Sequence, residues 1–175
     1  MTLFFDIETQ NSFEEVGGHY PERLRLSAAV TYNTADEAFH HYTEANVTDL
    51  VKELQTADLV VGYNLYGFDY PVLQKYTQAV LLKDLPTVDL MVMLEKRLGF
   101  RPKLDTVASA TLKVGKSADG LQAVRWWREG RLEEIFKYCE QDVEVTRRLY
   151  EFGKQYRYVQ YYDQQYRIQK VLVAW

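Results

Sequence analysis

The sequence predicts an α/β fold in which a mixed β-sheet is covered by helices. Three strand-like segments follow one another near the N-terminus, which is typical of an antiparallel opening. Beyond residue 45, strand-like and helix-like segments alternate, which is typical of parallel strands joined by helices. Of the 175 residues, 47% are hydrophobic and 26% are charged, as in ordinary globular proteins. We expect one domain over residues 1–175.

The three N-terminal segments alternate between apolar and polar residues. Residues 2–8 are the first predicted strand, and residues 26–32 and 38–43 are the second and third. The turn-like stretch NTADE joins the last two. Because a short turn can connect only antiparallel neighbours, these two strands should form a hairpin.

A short helix is predicted after the third strand. Asn46 or Thr48 is its predicted N-terminal cap, because an oxygen there accepts a hydrogen bond from the first turn. The helix should extend to about residue 54. Its apolar side consists of Leu50, Val51 and Leu54.

The middle of the chain combines one buried strand with one helix. The apolar segment 58–64 is predicted to be a buried strand that ends at Gly62 and Asn64. The helix predicted over residues 68–80 has Pro71 in its first turn, where the missing N–H costs nothing.

The remaining third of the chain is mostly helical. A short fifth strand is predicted at residues 86–91, and the helices that follow are predicted over residues 90–98, 104–112, 120–129 and 131–153. The C-terminal tail, residues 154–175, is strand-like and rich in tyrosine. Stacking on nucleic-acid bases, an edge strand and a dimer contact are three interpretations that this composition leaves open.

Composition predicts a cytoplasmic protein. Cys139 is the only cysteine, which excludes an internal disulfide and fits a reducing compartment. Residues 1–20 carry acids within their apolar run and lack a basic segment, unlike a signal peptide. No apolar run approaches the roughly 20 residues that cross a bilayer, so we expect no membrane partner.

Charge is distributed unevenly along the chain. Residues 1–95 contain 5 Lys or Arg and 15 Asp or Glu, whereas residues 96–175 contain 16 and 10. One interpretation is that the first half concentrates acids while the second binds an anion. The alternative is a solvated charged surface on the C-terminal helices.

The first strand contains two carboxylates in an apolar setting. Asp6 and Glu8 are two residues apart and therefore lie on one face of the strand, while Phe5 and Ile7 lie on the other. Two like charges near a sheet interior cost several kcal/mol unless something positive neutralises them. Either this strand end is solvated or a cation lies between the two acids.

Three further polar residues lie at unusual positions. Asp69 follows Phe68 at the start of a helix, where an aspartate commonly caps the helix or stabilises its dipole. Tyr138 and Asp142 are four residues apart and share one side of the last helix. Taken alone, this Tyr–Asp pair is also compatible with an ordinary packed helix surface.

The segments FDIET, N-x-x-x-F-D and Y-x-x-x-D occur in that order along the chain. Together they resemble the three exonuclease motifs of the DEDD superfamily, whose members have a ribonuclease H-like fold. The wording is most similar to the proofreading domains of B-family DNA polymerases and to related stand-alone predicted exonucleases. The stretch LDTVASATLKVGKS resembles the family segment between the last two motifs. The resemblance covers residues 2 to about 153.

This resemblance implies an active site. The family's four acidic positions are matched by Asp6, Glu8, Asp69 and Asp142, and its tyrosine by Tyr138. The tyrosine marks the DEDDy branch; the sister branch has a histidine where this chain has Lys137. His19, His40 and His41 lie outside the motifs, and we expect none of them to bind metal.

The resemblance also implies a two-metal reaction with Mg²⁺ or Mn²⁺, hard cations that prefer oxygen ligands. Asp6 would then bridge both cations. Glu8 and Asp142 would complete the first site, and Asp69 would hold the second. Tyr138 would orient the attacking water together with Glu8, since a phenol is a poor base but a good hydrogen-bonding group.

The implied substrate is the 3′ end of single-stranded DNA or RNA, with DNA favoured and with a role in proofreading or repair. The expected substrate-binding residues flank the motifs and are Thr9, Gln10, Asn64, Tyr66 and Phe68. For Phe68, a place in the core is an equally compatible interpretation. Basic residues expected to follow the phosphates are Arg97, Arg101, Lys103, Lys113 and Lys116.

The implied function is 3′→5′ exonucleolytic hydrolysis that releases nucleoside 5′-monophosphates. A polymerase, a helicase or another nucleic-acid-processing protein is a possible partner. Two alternatives remain open at this stage: a non-catalytic nucleic-acid-binding or scaffolding module with the same fold, and an endonuclease that uses the same ions.

Overall fold

A computed structural model describes residues 1–115 and 120–175, so Lys116 lies outside the described residues. The main sheet comprises β1 (Thr2–Thr9), β2 (Leu26–Asn33), β3 (Ala38–Tyr42), β4 (Leu59–Gly62) and β5 (Thr87–Asp89). Their order is β3-β2-β1-β4-β5. The first three strands pair antiparallel, and β4 joins both β1 and β5 in parallel. The predicted mixed α/β sheet is confirmed.

Six helices flank this sheet in the part of the chain that the structure describes. They are α1 (Val47–Thr56), α2 (Asp69–Gln74), α3 (Leu90–Leu98), α4 (Leu104–Leu112), α5 (Gly120–Arg128) and α6 (Leu132–Tyr156). None of these helices is long and apolar enough to span a membrane.

Helix α2 is shorter than the predicted helix over residues 68–80. It ends at Gln74, whose side-chain amide donates to the backbone oxygens of Thr77 and Val80 and accepts from the N–H of Leu82. Because one side chain satisfies three backbone groups of the next segment, that segment forms a loop instead of further helical turns.

The prediction that a side-chain oxygen of Asn46 or Thr48 caps α1 is wrong. Asn46 does precede α1, but its side-chain oxygen accepts from the N–H of Thr43 at 2.7 Å, one turn upstream. Thr48 lies inside the helix. The predicted apolar side of α1 is confirmed, since all three of its leucine and valine residues are buried.

The core occupies both faces of the sheet. Leu3, Phe5 and Ile7 of β1 pack against α1 and α2 on one face, whereas Phe4 packs on the other face with apolar residues of α3, α4 and α6. Because side chains alternate along a strand, the carboxylates of β1 face the α6 side.

The tyrosine-rich tail forms a separate two-stranded sheet of β6 (Tyr158–Tyr162) and β7 (Ile168–Leu172), so it is not an edge strand of the main sheet. Val159 and Val171 on its inner face belong to the core beside α6. The hydroxyl of Thr111 in α4 donates to the oxygen of Gln160 at 2.9 Å and accepts from its N–H at 2.8 Å. The hairpin is therefore fixed to α4 by its backbone.

The last residue fixes the end of the chain against α6. The indole of Trp175 donates to the oxygen of Tyr150 at 2.9 Å and covers Gly153. A Cβ atom at Gly153 would overlap the indole ring.

We expect Gly153→Ala to lower the free energy of unfolding by about 1–3 kcal/mol, because the new methyl group overpacks against the indole. In a Trp175→Ala background the same change should raise it by about 0.5–1 kcal/mol, because alanine favours a helix over glycine. Urea denaturation of the four proteins measures both values. The same sign in both backgrounds would show that Trp175 does not dock on α6.

Candidate active site

An open crevice lies beside β1 because β1 continues beyond its parallel neighbour. Pairing with β4 runs from Thr2 to Phe4, whereas pairing with β2 continues through Asp6 and Glu8. Strand β4 ends at Gly62, where a Cβ atom would overlap the buried side chain of Leu65. Since Leu65 folds back onto Gly62, the chain turns away from β1 directly after β4. This turn leaves one side of the acidic segment without a neighbouring strand.

Three of the predicted acids meet in this crevice. One carboxylate oxygen from each of Asp6, Glu8 and Asp142 lies within 4.8 Å of the other two. Asp6 and Glu8 come from β1, and Asp142 comes from the middle of α6, which packs across that face of the sheet. Residues more than 130 positions apart in the chain thus form one acidic cluster.

The fourth acid, Asp69, lies outside this three-carboxylate cluster but close enough to act on it electrostatically. It begins α2, and only 2% of its surface is exposed. Its Oδ1 atom is buried without a hydrogen-bond partner. An unsatisfied buried carboxylate oxygen is costly, and such an atom is commonly a ligand for a cation.

The pKa values of these acids reflect burial and mutual repulsion. Burial raises the pKa of Asp6 well above its ordinary value, and the charges of Asp69, Asp142 and Glu8 raise it further. Burial, followed by the charges of Asp142 and Asp69, raises the pKa of Glu8. Burial also raises the pKa of Asp69 to about 8, although the backbone N–H groups of Asp69 and Ile7 oppose this shift. The cluster therefore binds protons strongly when no cation is present.

Tyr138 is placed by α6 beside the same cluster. It is one helical turn before Asp142, and its phenol and that carboxylate share a hydrogen bond. Its ring packs edge-on against Trp126 of α5, with ring centroids 6.3 Å apart. Burial, followed by the negative charge of Asp142, raises the pKa of the phenol, so Tyr138 remains protonated at physiological pH.

Two residues to which the motifs assigned no role support the site: Cys139 contacts the cluster, and Asp89 fixes the adjacent turn. The thiol of Cys139 donates to the backbone oxygen of Asp6 at 3.2 Å and approaches its carboxylate at 3.4 Å. Asp89, at the end of β5, accepts from the N–H groups of Asn64 and Tyr66 at 2.8 and 3.1 Å. It also caps α3. An aspartate immediately before a helix was the signal for its capping role, but not for its contacts with the Asn64 loop.

The donor set fits hard divalent cations. The acidic cluster supplies carboxylate oxygens only, and Asp69 adds an oxygen that has no partner within the protein. Mg²⁺ and Mn²⁺ prefer such oxygen ligands. The three histidines bond elsewhere or stack: His40 contacts Glu53 and Asp36, His41 contacts Glu140, and His19 lies against Phe13.

An apolar cavity of about 420 Å³ adjoins Glu8 and Thr9. Its apolar lining comprises Phe13, Leu24, Phe68, Leu121 and Val124. Phe68 packs against the core beside α2, as one of its two interpretations expected, and it also lines the cavity.

The other expected substrate residues are placed differently. The amide of Gln10 is occupied within the protein, because it donates to the oxygen of Leu26 at 2.7 Å and to Glu44 at 3.1 Å. Tyr66 is 40% exposed. Asn64 has a positive φ of 72° at the turn after β4, and its side-chain oxygen accepts from Arg101 at 3.2 Å.

Most of the basic residues expected to follow phosphates are not at the crevice. Arg101 contacts the Asn64 loop, and Lys103 lines a surface cavity near the C-terminal hairpin. Arg97 lies beside Trp175, and the amine of Lys113 donates to the backbone of its own helix.

A family model described as the RNase H superfamily matches residues 3–152. The chain belongs to the RNase H superfamily. No curated protein sequence matches it. The family, the fold and the acidic cluster together support a nuclease, and nucleases of this superfamily use divalent metal ions.

Similarity to solved structures supports the same fold assignment for this RNase H-superfamily chain. One of these structures is the family B DNA polymerase from the hyperthermophilic archaeon Pyrobaculum calidifontis, which matches with a TM-score of 0.66 and 21% sequence identity. The match covers 87% of this chain and 24% of the polymerase, so the chain spans about a quarter of the polymerase's length.

The raised pKa values predict how stability depends on pH and metal. Between about pH 4 and pH 8, the folded chain holds carboxyl protons that the unfolded chain has released. In EDTA, the free energy of unfolding should therefore fall as pH rises, by about 1.4 kcal/mol per pH unit for each extra proton held. Mg²⁺ should oppose this loss, because it binds the deprotonated folded cluster. Denaturant titrations from pH 5 to pH 8 measure both effects.

Substitutions test whether the pH dependence and the stabilisation by Mg²⁺ arise from the acidic residues. Asp69→Asn should flatten the pH dependence in EDTA, and Asp6→Ala should abolish most of the stabilisation by Mg²⁺. Asp84→Asn, at an exposed aspartate, is the matched control and should change neither. Equal stabilisation by Mg²⁺ in wild type and Asp6→Ala would exclude a metal site at the cluster.

Proposed function

We propose that the chain is a divalent-metal-dependent 3′→5′ exonuclease that acts on single-stranded nucleic acid, with DNA favoured, and releases nucleoside 5′-monophosphates. The observation that carries this proposal is the cluster of Asp6, Glu8 and Asp142 with the unpartnered Asp69 oxygen nearby, all beside an apolar cavity. The fold shared with a DNA polymerase supports DNA as the substrate.

The four acids have one shared role in this proposal. Asp6, Glu8 and Asp142 would hold one divalent cation, and Asp69 together with Asp6 would hold a second. Two such cations supply positive charge for the attacking oxygen, the phosphoryl oxygens and the leaving 3′ oxygen. Because Asp69 begins a helix and Asp6 lies on a central strand, both carboxylates are positioned before substrate arrives.

Tyr138 orients the attacking water and does not act as a base. Its raised pKa keeps the phenol protonated, and its hydrogen bond to Asp142 fixes the direction of the hydroxyl group. Glu8, which is 92% removed from solvent, provides a second oxygen on the same face of the site. Deprotonated Glu8 can accept a hydrogen bond from the water, so the two side chains define its position.

The apolar cavity beside Glu8 would accept the base of the terminal nucleotide. Phe13 and Phe68 form one of its walls as an edge-to-face pair with centroids 6.0 Å apart. Aromatic walls suit every base, because each base has a flat π-face. The cavity therefore supports binding of a single-stranded end whatever its base sequence.

Residues 1–175 would act as a single catalytic unit. The chain matches about a quarter of the polymerase's length, so association with a polymerase, a helicase or another nucleic-acid-processing partner is part of the proposal.

Digestion of labelled oligonucleotides tests the activity. A 5′-labelled single strand should give a descending ladder with Mg²⁺ or Mn²⁺ and no products in EDTA. A 3′-phosphate end should slow the reaction, because the terminal nucleotide then lacks the free 3′ hydroxyl that the proposed site binds. DNA and RNA of the same sequence should be digested in parallel, with DNA expected to be faster.

Two controls define the reaction. Asp6→Asn protein, purified identically, should be inactive, which excludes a contaminating nuclease. Rapid cleavage of circular single-stranded DNA by wild type would show an endonuclease, and nucleic-acid binding without any cleavage would show a non-catalytic module.

Asp142 and Tyr138 should respond differently to substitution. Asp142→Asn removes charge from the cluster and should lower both Mn²⁺ affinity and turnover by orders of magnitude. Tyr138→Phe removes one hydrogen-bonding group and should lower turnover about 10–1000-fold with metal affinity nearly unchanged. Calorimetric Mn²⁺ titration and single-turnover kinetics measure the two effects.

The competing interpretation treats both residues as packing groups on α6. It predicts a lower melting temperature for each variant and no selective kinetic defect. Wild-type turnover of Tyr138→Phe at saturating metal would refute the role assigned to the tyrosine.

A further inference from the structure

A groove on the surface lies between α4 and the turn of the C-terminal hairpin. It consists of two adjoining cavities of about 280 and 380 Å³, which share Tyr162, Asp163 and Gln164. Phe100 lines the first cavity, and Lys103 lines the second. We call this surface the hairpin groove; its remaining lining residues are Asp105, Thr106, Ser109, Tyr161, Gln165 and Tyr166.

The hairpin groove is connected to the candidate active site by direct contacts. Asn64, in the turn beside the crevice, accepts a hydrogen bond from the guanidinium group of Arg101. The adjacent residue, Phe100, packs edge-on against Tyr161 of β6, with ring centroids 5.7 Å apart. The hydroxyl of Tyr63 fixes the same connection by donating to the oxygen of Pro102 at 2.7 Å. A polymer leaving the crevice past Asn64 therefore meets Arg101 and then the groove.

The two chain segments that contribute to the groove are basic overall, although the charged residues that line the groove are one lysine, Lys103, and two aspartates, Asp105 and Asp163. Residues 96–113 and 154–175 contain nine Lys or Arg and two Asp or Glu, which gives a net charge of +7. Because the whole chain has a net charge of −4, all other residues together carry −11. The excess positive charge of these two segments favours a polyanion over a neutral ligand near the groove.

The two acids of the groove are compensated locally. Asp163 accepts from the guanidinium group of Arg167 at 2.9 Å and from the side-chain amide of Gln169 at 2.9 Å. Asp105 is in the first turn of α4, where the helix dipole stabilises negative charge. Arg167 therefore offsets the negative charge of Asp163 within the groove.

Two aromatic residues of the groove are exposed, and a third is partly exposed. Phe100 is 48% exposed and Tyr166 is 85% exposed, while Tyr162 lies between the two cavities. Exposed rings next to basic side chains are typical of surfaces that bind single-stranded nucleic acid, because bases stack on the rings and phosphates approach the charges. A protein partner would not require the excess positive charge.

We propose that the hairpin groove binds the single-stranded DNA segment on the 5′ side of the nucleotide that is removed. Bases stack on Phe100 and Tyr162, and Arg101 and Lys103 approach the phosphates between the crevice and the groove. The inference rests on the proposed exonuclease function, which defines the end of the strand that occupies the crevice. It predicts that long substrates bind more tightly than short ones, although both present the same 3′ end.

Fluorescence anisotropy with the inactive Asp6→Asn protein, 5′-labelled dT20 and dT4 tests the inference. The Kd for dT20 should rise at least tenfold when Phe100→Ala and Tyr162→Ala are added together, while the Kd for dT4 should change less than twofold. Lys103→Gln should weaken dT20 binding and reduce the slope of log Kd against log salt concentration by about 0.7. A 20-residue oligo(rU) probe compares RNA with DNA.

Matched variants separate the groove from general effects. Tyr156→Ala replaces a ring of similar exposure, 51%, outside the groove, and Lys83→Gln removes an exposed charge from the acidic half. Neither should change dT20 binding. Tyr162→Phe keeps the ring and should retain the wild-type Kd, which distinguishes lost stacking from a misfolded hairpin. Unchanged melting temperatures complete this control.

In the active background, the groove variants should raise KM for dT20 with kcat unchanged and should leave dT4 hydrolysis at the wild-type rate. Equal dT20 affinity in wild-type and groove variants, with hydrolysis intact, would refute strand binding by the hairpin groove and would leave the proposed exonuclease function standing. Groove-dependent binding by a wild type that hydrolyses neither oligonucleotide refutes the exonuclease and with it the assigned position of the strand. A dimer that Phe100→Ala dissociates, with unchanged dT20 binding, would assign the groove to a second copy of the chain.

Discussion

Mutual repulsion among carboxylates at the end of β1 is the constraint on which the site depends. Asp6, Glu8 and Asp142 are held within 4.8 Å of one another, and the pKa values of Asp6 and Glu8 are raised by burial and by their neighbours. Such a cluster separates unless a stronger interaction fixes the backbone around it. Here that interaction is the packing of Phe5 and Ile7 on the opposite face of the same strand, both of which are almost fully buried. Because side chains alternate between the two faces of β1, one face carries the carboxylates and the other anchors the strand in the core.

Two buried aspartates at similar positions differ in whether their carboxylate oxygens have hydrogen-bond partners. Both Asp69 and Asp89 are 2% exposed, and both lie where a helix begins. Asp89 accepts hydrogen bonds from four backbone N–H groups and thereby fixes the turn that contains Asn64. Asp69 retains a buried carboxylate oxygen without a hydrogen-bond partner, and the hydroxyl oxygen of Ser27 in β2 also lacks one. Asp89, whose oxygens are bonded, supports the fold, whereas the proposed function assigns the unsatisfied oxygen of Asp69 to a cation.

The sequence predicted those features that local periodicity determines. Strand alternation placed Asp6 and Glu8 on one face, and the helical repeat placed Tyr138 beside Asp142. Features that depend on tertiary contacts were missed or wrong. The end of α2 depends on the hydrogen bonds of Gln74 to a later loop, and the orientation of Gln10 depends on Glu44, which is 34 residues away. No spacing rule encodes such partners, since they form only when distant segments meet.

The separation of charge between the two halves of the chain has a physical reason under the proposed function. An acidic crevice repels the phosphodiester that it must contact, so cations and substrate can bind together only if the cations reverse the local potential. Even then, affinity for a strand must come from elsewhere, because the cluster and its cations nearly neutralise each other. Arg101 contacts the Asn64 turn and Lys103 lines the hairpin groove, so neither contact is made with the acidic cluster itself. Under the proposed function, the metal site can therefore be acidic while the chain still attracts a polyanion. The acidic residues lie in the crevice, and the basic segments lie near the hairpin groove, where the same strand would continue.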